Sequence, residues 1–137
     1  MSVRLCHDSC HVHFSDSERK SAETRWLPDS AVKESHQRII SALQVNGYRI
    51  PTSNIVINMA PADIRKEGSA YDLPLAIGML AAGEVISSEK LNRYLMMGEL
   101  SLDGSLQPIK GALPIAIKAR ELGFEGIIVP QQNAREA

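Results

Sequence analysis

The sequence predicts a single domain that mixes α-helices with β-strands. Three observations predict it. Three stretches carry apolar residues at helical spacing, each followed by a glycine. Between them lie short β-branched runs bounded by turn residues. The Asp103-Gly104 dipeptide sits between two apolar runs, as a hairpin turn does. A length of 137 residues is enough for one domain with one core and too short for two.

The first helix is expected over roughly residues 30 to 46, capped by Asp29 or Ser30. Val32, Ile39, Ile40 and Leu43 form its apolar stripe, and Asn46-Gly47 is its left-handed stop. Residues 54 to 59 read as a strand buried on both faces. A polar loop follows from Ala60 to Tyr71. Asp72 then serves as N-cap of a second helix, with Pro74 in its first turn, Leu73, Ala76, Ile77 and Leu80 facing inward, and Gly83 as its end. Because this helix is apolar on most sides, it is expected at the centre of the fold. Residues 94 to 100 and 105 to 109 form a hairpin around a type I′ turn at Asp103-Gly104. A third helix runs from Gly111 to Leu122, ended by Gly123, and Ile127-Ile128-Val129 forms a strand stopped by Pro130. Gln131 or Asn133 is placed to start a further helix.

Composition excludes several classes. Fifteen Lys and Arg against sixteen Asp and Glu give a formal net charge of −1, so the chain has no overall basic character suited to nucleic acid or an anionic membrane. Hydrophobic residues at 44% and charged residues at 23% exclude a disordered or collagen-like chain. No apolar run approaches the roughly 18 residues of a membrane span, and the N-terminus lacks a signal-peptide core. Two cysteines are too few for a secreted disulfide scaffold, so a cytoplasmic setting is expected.

Residues 1–26 stand apart. They hold both cysteines, His7, His11 and His13, and the single tryptophan, with little periodicity, and read as a flexible or artefactual segment. Cys6, Cys10, His11 and His13 offer thiolate and imidazole ligands, so a zinc-binding module is an alternative reading. The second ligand pair that zinc fingers set well apart in a folded unit is missing.

Three separated strings carry a resemblance: Leu27-Pro28-Asp29-Ser30-Ala31-Val32; Ile57-Asn58-Met59-Ala60-Pro61-Ala62-Asp63-Ile64-Arg65-Lys66-Glu67-Gly68-Ser69-Ala70-Tyr71-Asp72; and Gly98-Glu99-Leu100-Ser101-Leu102-Asp103-Gly104 with Pro108-Ile109-Lys110-Gly111. In this order they resemble the magnesium chelatase-like AAA+ ATPases of the ComM/YifB group, over about residues 27 to 137. The resemblance implies an α+β two-layer sandwich like the proteolytic domain of Lon, of the ribosomal-protein domain 2-like superfold. It also implies an N-terminal domain whose ATPase partner domain lies beyond this chain. For the full-length protein it implies ATP and Mg as cofactors, a hexameric ring, and ATP-driven branch migration of DNA during natural transformation.

Lon-type proteolysis needs a serine nucleophile and a lysine that takes its proton. Aligned without gaps, this sequence places Ala70 at the nucleophile and Leu113 at the lysine. The expectation is therefore a non-catalytic domain supplying subunit or partner contacts, with self-association expected. A residual peptidase using Ser69 and Lys110 is the alternative. No Gly-x-x-x-x-Gly-Lys-Ser/Thr string is present, so no phosphate cradle is expected in this chain. The charged loop with Asp63, Arg65, Lys66 and Glu67 is a candidate interface or DNA-contacting loop. Glu99 and Lys110 are expected to form a partly buried ion pair.

Overall fold

A computed structural model gives the fold and describes residues 2–6, 10–14, 30–50, 55–58 and 69–137. In chain order the elements are β1 (Ser2–Cys6), β2 (Cys10–Phe14), α1 (Ser30–Val45), β3 (Ile55–Asn58), a 3-10 turn (Ser69–Tyr71), α2 (Asp72–Ala82), a 3-10 turn (Leu91–Arg93), β4 (Tyr94–Met96), β5 (Glu99–Leu100), β6 (Leu106–Gln107), α3 (Ala112–Glu121), β7 (Gly126–Ile128) and a last 3-10 turn (Gln131–Asn133). Helices and small sheets are interleaved in an α+β fold.

β1, β2 and β3 form an antiparallel sheet in that order, with Cys6 opposite Cys10, His11 opposite Asn58 and His13 opposite Val56. β4 and β7 pair in parallel, Leu95 opposite Ile127. β1 also runs close to β4, and α2 lies across β1 and β2. Two of these strands lie within residues 1–26. In the stretch that reads as flexible or artefactual from sequence, residues 2–6 and 10–14 form β1, which pairs with β2, and β2, which pairs with β3.

α2 buries nine of its eleven residues, which makes it the central helix expected from its all-round apolarity. α1 crosses it through Ile39, Ala42 and Leu43, which meet Leu75, Ala76, Met79, Leu80 and Ala81, with Leu100 of β5 closing the cluster. Burying such side chains contributes about 1.5–3 kcal/mol each.

All three helices end in the same two-bond motif. After α1, Gly47 sits at φ 76°, and the N–H groups of Tyr48 and Gly47 donate to the carbonyls of Leu43 and Gln44. After α3, Gly123 takes the same position at φ 77°. After α2 the left-handed residue is Glu84 at φ 56°, while Gly83, expected to end the helix, has φ −77°.

The hairpin is shorter than predicted. β4 breaks away to pair with β7, and only Glu99–Leu100 and Leu106–Gln107 pair antiparallel. A type I′ turn needs positive φ at Asp103, but only Gly104 has it, at 86°. The Gly104 N–H donates to the Ser101 carbonyl and the Ser101 N–H to the Ser105 carbonyl. This is a type I turn closed by a left-handed glycine. The tip is tied to α1 by Asn46, whose Nδ2 donates to the carbonyls of Asp103 at 3.0 Å and Ala42 at 2.8 Å.

Candidate functional site

Of the residues that the sequence singled out, Ser69, Ala70, Asp72 and Glu99 lie together where α2 begins. Ser69 opens the 3-10 turn, Ala70 and Tyr71 follow, and Asp72 is the first residue of α2. Gly98 docks against this corner from both sides: its N–H donates to the Ala70 carbonyl at 2.8 Å, and its carbonyl accepts the Leu73 N–H at 3.0 Å. A side chain at Gly98 would lie 3.0 Å from Leu106 Cδ2 and 3.3 Å from Leu73 Cβ, so the close approach depends on glycine. The docking brings Glu99 alongside Ser69, and the Ser69 hydroxyl donates to Glu99 Oε2.

Asp72 is not a cap. Tyr71 occupies the N-cap position with no side-chain cap bond, and the Asp72 carboxylate, 0% exposed, turns to two other elements. Ser35 Oγ donates to Oδ1 at 2.6 Å; Arg38 Nε donates to Oδ2 at 2.8 Å and Nη2 to Oδ1 at 3.2 Å; and the Leu100 N–H donates to Oδ2 at 3.2 Å. Arg38 Nη2 also donates to Ser35 Oγ at 3.2 Å. The bonds to Asp72 raise the Arg38 guanidinium above its ordinary value, with the charge of Glu99 adding to the effect. The carboxylate is satisfied by donors from α1 and β5, as a buried charge must be.

Sequence reasoning missed Ser35 and Arg38. The available signal was Ser35 itself, four residues before Ile39 on the buried stripe of α1. A polar side chain on that stripe calls for a buried partner.

The expected Glu99–Lys110 pair does not form. Lys110 is exposed and joins no ion pair among the described residues, while Glu99 accepts a hydrogen bond from the Ser69 hydroxyl. An exposed lysine with no bond to Ser69 leaves that serine without an amine base here, and its hydroxyl instead holds the 3-10 turn to β5. Ala70 presents only a methyl group. Leu113, 46% exposed on α3, presents only an aliphatic chain. What this corner can do chemically is hold α1, α2 and β5 in register through a charged, buried bond network.

The family described as subunit ChlI of Mg-chelatase matches residues 11–133. The chain belongs to this ChlI family. The match reaches back to residue 11, into the stretch that the sequence motifs left uncovered. The ChlI-family chain is 46% identical over 110 residues to the uncharacterized protein YifB of Escherichia coli, covering 80% of this chain and 22% of that protein. It is 40% identical over 111 residues to the competence protein ComM of Haemophilus influenzae, covering 81% and 22%. Lon protease 2 of Bacillus subtilis is 30% identical over 104 residues, covering 76% of this chain and 18% of the protease. The chain thus spans about a fifth of the length of the relatives it matches.

The remaining candidates are placed as follows. Asp63, Arg65, Lys66 and Glu67 of the charged loop lie outside the described residues. Cys6, Cys10, His11 and His13 lie on β1 and β2. Among the described residues no group of three or more His, Cys, Asp or Glu is placed to hold a metal ion, and no helix is long and apolar enough to cross a membrane.

Proposed function

We propose that this chain is a non-catalytic domain of a ComM/YifB-like protein and supplies contacts to neighbouring subunits or partners. The observation that carries this reading is the corner at the start of α2, where the candidate nucleophile, Ser69, donates to the Glu99 carboxylate and holds the 3-10 turn to β5. With Ala70 and Leu113 at the positions that a Lon-like dyad would need, proton transfer from serine to lysine has no route through this pair.

For the intact protein, we read the relationship to a competence protein as membership of an ATP-dependent DNA-processing machine, with branch migration as its action in natural transformation. ATP and Mg would be bound outside the segment matched here, in a cytoplasmic hexameric ring. A net charge of −1 agrees with a domain that leaves phosphate contact to other parts of such a ring.

The test is a chimera in which this chain replaces the matching segment of the H. influenzae competence protein. Transformation restored to the level of the parent protein is the expected result. A chimera that is folded and abundant but leaves transformation at the level of a deletion strain overturns the reading.

A further inference from the structure

The face carrying α3 and β7 is built differently from the core. α3 buries only Ala112 and Ala119. Leu113 and Ile117, one helical turn apart, are 46% and 45% exposed, and Ile128 of β7 is 42% exposed. β7 is hydrogen-bonded to β4 alone, so among the described residues its outer side has no partner strand. Parallel strand pairs are normally covered on both faces, and an apolar strand edge is a template for another extended segment. On α3, Lys118 pairs with Glu121 within the helix. What Leu113, Ile117, Ile128 and the β7 edge offer a partner is apolar side chains and backbone groups.

The size of the patch decides what covers it. A stable association between separate molecules needs about 800 Å² from each partner. Three residues of β7 edge, about 10 Å of strand, with a few apolar side chains fall well short of that. A segment tethered on the same polypeptide needs far less area, because tethering supplies a high effective concentration. The relatives that this chain matches are several times longer, the match covering 22% of each. We infer that the outer edge of β7 and the exposed face of α3 seat an extended apolar segment from elsewhere in the same full-length polypeptide, added to the sheet as a strand beside β7. This inference rests on the proposed domain role and names the surface through which the domain is joined to the rest of the protein.

The test compares the isolated 137-residue chain with the chimera described above, by amide hydrogen exchange read on peptides covering residues 112–129. Protection of the β7 peptide in the chimera should rise at least about tenfold over the isolated chain. Ile128→Lys should return it to the isolated-chain level, with α2 protection unchanged as the measure of an intact fold. No gain in the chimera overturns the inference. So does a gain already present in the isolated chain that grows with its concentration, because a second copy would then be the occupant. A chimera that supports transformation without the gain in protection sinks this inference alone. One that gains protection without transforming sinks the functional reading alone.

Discussion

Glu84 holds a left-handed backbone conformation that costs most side chains about 1 kcal/mol, one residue after a glycine that does not use its own freedom. Glu84→Gly is therefore expected to stabilise the domain by about 0.5–1 kcal/mol, read as a higher urea midpoint at unchanged slope. The same substitution at an ordinary helical position would destabilise. The sequence reading placed the α2 stop at Gly83 because glycine is the usual left-handed residue, and the structure moves it by one. Asp72 is the second residue-scale lesson. An aspartate before an apolar helix reads as a cap, and only the fold brings Arg38, 34 positions away in sequence, to its carboxylate. Asp72→Ala removes one partner of a buried pair and leaves Arg38, Ser35 and the Leu100 N–H without their acceptor. The expected loss is about 3 kcal/mol in equilibrium unfolding.

At the scale of elements, helices were the most legible. α1 and α2 begin and end within a residue of their expected bounds, because apolar spacing and glycine stops are local signals. Strands were less legible. Residues 94 to 100 read as one run, yet Met97-Gly98 divides it between a parallel partner at β7 and an antiparallel partner at β6. Gly98 is the pivot: its backbone bonds the α2 corner through Ala70 and Leu73, and the Leu73 and Leu106 side chains leave little room for a Cβ there. Gly98→Val should cost about 2–3 kcal/mol, since its branches would collide with Leu73 and Leu106. A thermal midpoint unchanged from the parent would show that the corner can yield. Asn133 gives a further case. Gln131 or Asn133 reads as a helix start, and a 3-10 turn does begin at Gln131; the buried Asn133 amide exchanges two bonds with the Ile109 backbone, at 2.9 and 2.8 Å, and so ties that turn to the hairpin exit.

For the whole molecule, the class of fold and the central place of α2 were readable, whereas β1 and β2 were not, because strand pairing between distant segments leaves no periodic mark in a Cys- and His-rich stretch. The partner of Ser69, the Glu99 carboxylate, is likewise visible only in the assembled fold. The purified chain is expected to show no turnover of an unstructured protein substrate; turnover that disappears in Ser69→Ala would refute this. Stability should also depend on pH through His36. Partial burial pushes its imidazole below the ordinary value of 6.5, so the unfolded chain binds the proton more readily than the native one. The stabilisation from the neutral ring is complete above about pH 6.5 and is lost as pH falls through the depressed native value. His36→Gln should flatten the fall in unfolding free energy between pH 7.5 and 5, and an identical slope in the variant would count against this assignment.

The Asp72 network also bears on the order of folding events. The bonds to Asp72 span 28 to 37 positions and join α1, α2 and β5, so each needs two elements docked and the full set needs all three. Contacts of this kind belong to the native side of the folding barrier. Loss of the carboxylate should then act chiefly by accelerating unfolding, with the refolding limb of the chevron almost unmoved, so that Asp72 sets how long the domain survives once folded and has little part in how fast it folds.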